Sequence, residues 1–551
     1  MISQLLSQGG KLKKLIFLLL LIFRVGVGQE VGARYLIITH DDFYAAVQPL
    51  AQWKHRKGLR TKVVKLSNVG SSMTQIKNYV QSAYDTWQMK PEFLLLVGAP
   101  DYLPFGPNYT DNYYTNMDSD IYNEILSGRL TVHSATEAQT VVNKILHYEK
   151  TPDLSDSLWF IDACLIVREE YSNFDDSVYW ENINYAKNLM LNNGYNFMET
   201  LSRYAGDNAY DVISSVNEGR AFVLYRGSAV SNWYSPFNVS PDQAANGTRL
   251  PIVLSITCRT IGLSGGPATA ERWLLTGTPS SPKGAAGYFA TTTTITGGSH
   301  LRSAVCKGFF NGLFLQGRKT FGEACEAGRL NVYNLYNSSS EYRGFTTLGD
   351  PAMNIWTAIP KPLEVSHDSI LPVGQEWLDV SVKSEGVPVE SALVCVVLDT
   401  LIYEYGYTTN EGDITFNVET LVPGYMYITV TAENKIPHVD SIRVISTQVE
   451  ETEEIENFGY LNISVSPNPF THFTDIRYQI TDNSPEYRLE IYDIIGRLVT
   501  NLSEQTSVIG HQLSVMWDGT DDKGSELPAG VYFVKVNTSE EQHTIPVLLV
   551  R

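Results

Sequence analysis

Between Arg34 and Trp356 short apolar runs alternate with segments of helical period, and beyond Trp356 the helical period disappears. "RYLIITH" (34–40), "TKVVKL" (61–66) and "FLLLVG" (93–98) read as strands, and "SMTQIKNYVQSAYDTW" (72–87) between the last two as an amphipathic helix. Buried strands separated by helices predict a parallel sheet with helices on both faces. "TEAQTVVNKILHYEK" (136–150) is a further helix, with Ser134 as its N-cap and Glu137 three residues on. The pattern then repeats. "FIDACLIV", "RAFVLYRG", "LPIVLSITC" and "GAAGYFATTTT" are strands, "ENINYAKNLMLNNG" is a helix stopped by Gly194, and "SAVCKGFFNGLFLQG" and "FGEACEAGRLNVYNLY" are helices. After "DPAMNIW" only short alternating strands follow, among them "LDVSVKS", "ALVCVVLD", "DITFNVE" and "YMYITVTA", which predicts an immunoglobulin-like β-sandwich. The chain of 551 residues therefore divides into an export segment (1–28), two parallel-sheet α/β subdomains (29–152 and 153–358), an Ig-like sandwich (359–447), an acidic linker (448–459) and a last β-sandwich (460–551).

The first segment has the order of a secretory signal peptide. Lys11, Lys13 and Lys14 precede an apolar run from Leu15 to Phe23, and Gly26 and Gly28 supply small residues for cleavage before Gln29. That run falls short of the ~18 apolar residues a spanning helix needs, and no other stretch approaches it, so the mature chain is expected to have no transmembrane segment. A formal charge of -19, with 41 Lys and Arg against 60 Asp and Glu, provides no basic stripe to neutralise phosphates and excludes a nucleic-acid partner. The five cysteines, Cys164, Cys258, Cys306, Cys325 and Cys395, form no CxxC pair, which argues against a structural zinc finger. Five is odd and sparse for a disulfide scaffold, so at least one thiol is expected to be free.

The last domain carries the most specific strings: "SVSPNPF" (464–470), "LEIYDIIGRLV" (489–499), "WDGTDDKGSELPAGVYFVKV" (517–536) and a closing "TIPVLLVR". They resemble the C-terminal sorting domain of type IX secretion cargo and are similar to flagellar-hook-cap-type Ig modules. The resemblance implies the outer-membrane secretion machinery as a partner and an extracellular or cell-surface destination. In the central region "YLIITHDDF", "TDNYY…DSDIYNEILSGRL", "VVNKILHYEK", "LPIVLSITC", "TAERWL" and "TTLGDPAMNIW" occur in an order similar to the gingipain-type C25 cysteine peptidases. That resemblance implies a caspase-like α/β fold and protein or peptide substrates.

Ligand and catalytic groups in open α/β sheets gather beyond the carboxyl ends of strands, and Cys258 ends the strand "LPIVLSITC". The resemblance implies that Cys258 is the nucleophile, acting as a thiolate that attacks the peptide carbonyl. The family's His is expected in a "Y-x-G-H-G" turn. Here the turn is Tyr225-Arg226-Gly227-Ser228-Ala229, so Ser228 stands in its place. His300, in "TTTTITGGSHLR", is the substitute base expected to reach from a neighbouring loop, and Arg226 could stabilise a thiolate without accepting its proton. Backbone N–H groups of Gly227 and Cys258 are candidate oxyanion donors. His40, at the end of the first strand, is expected to have a turn role. Asp111, Asp118 and Asp120 form a carboxylate-rich loop, read either as a structural Ca2+ or specificity site or as a solvated loop, since no EF-hand spacing is present. Asp350 is expected in a turn or cap. No cofactor is required for this chemistry. Three functions follow: a secreted cysteine endopeptidase, a catalytically inactive surface binding or adhesion protein on the same fold, and a sortase-like transpeptidase.

Overall fold

The computed structural model of the chain describes residues 30–263, 267–295, 298–399, 401–446, 461–470, 473–480, 488–494, 496–503, 507–509, 512–537 and 542–550. The expected signal peptide (1–28) and the expected acidic linker (448–459) lie outside the described residues. The chain forms two compact units, one of them ending at Pro360.

The first unit is built on ten strands: Tyr35–Thr39 (β1), Thr61–Lys65 (β2), Phe93–Val97 (β3), Leu126–Leu130 (β4), Asp162–Val167 (β5), Phe197–Ser202 (β6), Phe222–Arg226 (β7), Ile252–Ile256 (β8), Gly287–Thr291 (β9) and Phe345–Leu348 (β10). They join in one sheet in the order β2-β1-β3-β4-β10-β9-β8-β7-β5-β6. Neighbours run parallel except β9 and β10, where Tyr288 faces Leu348 and Thr291 faces Phe345 in antiparallel register. β10 in turn runs parallel to β4, with Leu348 beside Arg129. The two α/β subdomains expected from the sequence are thus one continuous sheet. Two parallel blocks of opposite sense meet at the β9–β10 pair, because the last strand of the second block returns to the first.

This seam decides where a site can form. The carboxyl ends of β1, β3 and β4 emerge at one edge of the sheet, and those of β5, β7, β8 and β9 at the other. Both faces are covered, which is why the strands read as continuous apolar runs. Tyr35, Ile37, Leu95 and Val97 pack with Val47 and Leu50 of helix α1 (Tyr44–Arg56) and Val141 and Ile145 of α2 (Ala135–Glu149). The alternate residues Leu36, Ile38, Leu94 and Leu96 pack with Ile76 and Val80 on the opposite face. Helix α2 starts where its cap residues predict, with the Ser134 side chain accepting from the Glu137 N–H.

Within this core lies a charged cluster. Lys54 Nζ sits 2.5 Å from Asp350 Oδ2 and 2.6 Å from Glu149 Oε2, with the lysine side chain fully buried. Tyr35 Oη donates to Asp350 at 2.8 Å, and Trp53 Nε1 donates to Glu149 at 2.7 Å. Asp350 does serve its turn, accepting from the Ala352 N–H at 2.9 Å, but it is also a buried counter-ion. Burial by itself would depress Lys54; the Asp350 and Glu149 carboxylates outweigh it and hold its pKa above the usual lysine value.

The second unit contains two β-sandwiches. The Ig-like one has a sheet of Glu364–His367 (β11), Gly374–Ser384, Val387–Pro388 and Asp413–Thr420. Its other sheet contains Ile370–Pro372, His438–Ile445 (β12), Gly424–Thr431, Leu393–Leu398 and Ile402–Tyr407. The last sandwich has two four-stranded sheets around Ile476, Leu489, Ile491, Trp517 and Val534. Its turn strings behave as their composition predicts: the Gly496 N–H returns to Asp493 O at 2.9 Å, and Gly519 has a φ of 76°. Among the described residues no helix is long and apolar enough to cross a membrane.

Candidate active site

The edge holding the carboxyl ends of β5, β7, β8 and β9 brings together Arg168 to Glu170, Gly227, Ser228, Cys258 and Thr293 to Ile295. Over it lies helix α4 (Ser299–Leu315), packed against α3 (Asn173–Asn192) and α5 (Phe321–Tyr336). Cys258, directly beyond β8, is the one described cysteine that is not buried. Its Sγ lies 3.8 Å from Ile295 O and accepts a hydrogen bond from Arg302 Nη1 at 3.0 Å. Arg302 Nε donates to Glu341 Oε2 at 3.2 Å, and Glu341 Oε1 accepts from Thr293 Oγ1 at 2.9 Å. Glu341 is fully buried, so the pair holds the guanidinium in one orientation against the sulfur.

Position 228 offers no imidazole. The Ser228 N–H donates to Glu170 Oε1 at 2.8 Å, and the Ser228 carbonyl accepts from Tyr225 Oη at 2.7 Å. Glu170 is held in turn by an ion pair with Arg168. Gly227 has a φ of 157°, and a Cβ there would stand 2.6 Å from Arg168 Cβ, so position 227 has no room for a side chain. The Gly227 carbonyl accepts from Thr257 Oγ1.

Two expected site residues sit elsewhere. Arg226 is not a pocket residue: it is 1% exposed. It donates to Ile256 O, Ser299 O at 2.8 Å and Ser303 Oγ at 3.0 Å, and its guanidinium lies 4.8 Å from the Tyr179 ring centre. It ties β7 and β8 to the start of α4 beneath the site, and burial lowers its pKa to about 10. His300 does not lie in a loop. The helix expected from Ser303 begins at Ser299, which places His300 in its first turn. Its ring packs edge-on to Tyr336 of α5 at 5.2 Å, and its buried Nδ1 has no hydrogen-bond partner among the described residues. Residues two apart on a helix face different ways, so Arg302 on Cys258 and His300 on Tyr336 are mutually consistent placements.

His40 is removed from the site by the seam, since β1 ends at the opposite sheet edge. Its Nδ1 accepts from the Asp42 N–H at 3.4 Å, the turn role expected of it. The acidic loop also divides. Asp111 is held by buried Arg129 through bonds of 2.9 and 2.7 Å, because a buried guanidinium requires a counter-ion. Asp118 and Asp120 instead gather with Glu124, their carboxylate oxygens within 4.8 Å of one another.

The sequence reading missed Arg302, Glu341 and Glu170. The acidic pair following the β5 strand in "LIVREEY" was a signal for Glu170, because it stands at a carboxyl strand end. Arg302 gave no local signal.

The five thiols differ sharply in surroundings. None is in a disulfide, and Cys164, Cys306, Cys325 and Cys395 are buried. Burial pushes the thiols of Cys164, Cys306 and Cys395 up to about 12, and that of Cys325 up as well. Iodoacetamide applied to the folded protein is therefore expected to modify Cys258 alone. The other four should react only after unfolding, which peptide mass mapping will read.

A partly exposed Cys258 just beyond a buried strand, with a guanidinium on its sulfur, fits the class of cysteine-peptidase-type hydrolases. The chain belongs to Peptidase family C25, whose match covers residues 29–356. The FlgD Ig-like domain family matches residues 471–542. Gingipain R2 of Porphyromonas gingivalis is 22% identical over 95% of this chain and 68% of its own length. Lys-gingipain of the same species is 22% identical over 74% of this chain, which spans 25% of that protein. The crystal structure of the Arg specific cysteine proteinase gingipain R is similar with a TM-score of 0.67 at 19% identity, covering 76% of this chain and all of that one. This likeness establishes the fold.

Proposed function

We propose that this chain is an exported C25-family protein that engages protein or peptide segments at Cys258, with peptide-bond turnover limited by the want of a proton acceptor at position 228. The observation that carries this reading is the 3.0 Å contact from Arg302 Nη1 to Cys258 Sγ. A guanidinium donates and never accepts. It stabilises negative charge on sulfur and leaves the sulfur free to attack a carbonyl. It neither takes the thiol proton nor returns one to the departing amine, and the Ser228 hydroxyl is no base near neutral pH. Reactive electrophiles need no protonated leaving group and are the substrates this arrangement serves best.

The test is labelling by a peptidyl electrophile. The adduct is expected on Cys258. Arg302→Met should slow labelling about ten- to a hundred-fold, the loss of a hydrogen bond to a charged group worth ~1.5–3 kcal/mol. Equal labelling of Cys258→Ala would overturn the assignment.

Export is supported by the charged, apolar, small-residue order of residues 11–28 and by the sorting-domain strings between Ser464 and Arg551. On this reading the outer-membrane secretion machinery recognises the last sandwich and delivers the protein to the cell surface or medium. The cargo tail disfavours a sortase-like role.

A further inference from the structure

Away from Cys258, the Ig-like sandwich brings two imidazoles and a carboxylate together. His367 is the last residue of β11, opposite Val380. His438 is the first residue of β12, and Asp440 follows on the same face, their strand partners being Val430 and Ile428. β11 and β12 belong to the two different sheets of the sandwich. One ring nitrogen from each histidine and one Asp440 oxygen lie within 4.8 Å of one another.

The protonation pattern of this cluster is unusual for a purely structural contact. His367 Nδ1 lies 2.8 Å from the Asp368 carbonyl. A carbonyl only accepts, so the proton is on Nδ1, and in the neutral ring the Nε2 lone pair is free. That Nε2 lies 3.5 Å from Asp440 Oδ2, which places one acceptor against another. Nearby, His438 Nε2 is buried with no hydrogen-bond partner among the described residues. The His367 lone pair and the Asp440 carboxylate face one another beside an unpartnered His438 nitrogen, an arrangement that a shared cation satisfies. An outer hydrogen bond that fixes the tautomer and aims the lone pair inward is the arrangement of a metal-ligating histidine.

We propose that His367, His438 and Asp440 form a three-ligand site for a zinc-class divalent transition-metal ion that clamps the two sheets of the Ig-like sandwich. Two imidazoles and one carboxylate suit such an ion, whereas Ca2+ and Mg2+ take oxygen ligands throughout. Tetrahedral bonds of ~2.0–2.2 Å hold ligand atoms on the order of 3.4 Å apart, so small rotamer changes close the site. Asp440, half-exposed, leaves the fourth position open to water.

The experiment uses the full mature chain in a Cys258→Ala background, so that this thiol cannot bind the probe. The metal-stripped protein is titrated with Zn2+ by calorimetry and with Co2+ by visible absorption. The expected result is one equivalent of Zn2+ bound, with the d–d absorption of four-coordinate Co2+. Asp440→Asn, which alters an exposed carboxylate and leaves the core intact, should lower the affinity at least ~10-fold, and His367→Ala should do the same. The proposal is overturned if no stoichiometric Zn2+ is bound, or if both variants, folded by circular dichroism, bind it as the parent does.

Discussion

Ser228→His is expected to raise the rate of peptide hydrolysis at Cys258 by about 10²–10⁴-fold, the range that a positioned general acid–base supplies. Glu170 Oε1 stands 2.8 Å from the backbone nitrogen of residue 228, and the Arg168 ion pair anchors that carboxylate. An imidazole there would have a carboxylate beside it to set its tautomer, the logic of nucleophile, base and orienting group. A fluorogenic peptide library reads the gain, and Cys258→Ala in the same background should erase it. If Ser228→His folds and labels at Cys258 yet hydrolyses no faster than the parent, the missing proton acceptor is not what limits the site.

The second large effect lies in the core. Lys54→Met is expected to destabilise the α/β unit by about 3–5 kcal/mol, because it leaves the Asp350 and Glu149 carboxylates buried without a counter-charge. A shift of the urea midpoint to lower concentration measures it. Because the folded pKa of Lys54 is raised, its contribution is fully present below the ordinary lysine value of 10.5 and is lost as pH rises through the folded value. The stability gap between parent and Lys54→Met should therefore be constant through neutral pH and shrink above 10.5. A gap that stays open in strong alkali would show that packing, not charge, accounts for the loss.

Much of the fold was legible from local pattern. β1, β3 and β8 were visible as apolar runs because both sheet faces are covered, and α2 was visible because Ser134 and Glu137 satisfy its first N–H groups. Cys258 was visible as the residue after a buried strand, and the departure at Ser228 from its place in the turn. The start of α4 lies four residues before the one its sequence pattern predicts. Thr296, Gly297 and Gly298 carry no helical signal, and the apolar period of that helix becomes evident only from Ala304. Local pattern therefore places His300 in a loop within reach of Cys258, whereas the helix holds it in its first turn. The buried position of Arg226 was hidden for a related reason: an arginine at a strand end reads as exposed unless the helix laid over it is known.

By itself the sequence determined the alternation of strands and helices, the change to β-structure after Trp356, the strand-end thiol and the absence of a histidine beside Gly227. These are properties of neighbouring residues, and period, capping and turn chemistry act over a few positions. Only the tertiary structure decided that two parallel blocks share one sheet, that Arg302 and not His300 faces Cys258, that Lys54 meets Asp350 and Glu149, and that His367 meets His438 across two sheets. Those outcomes depend on strand order, on the rotation of a helix about its axis and on contacts between distant parts of the chain. Local pattern leaves these undetermined, and packing the whole core selects among them.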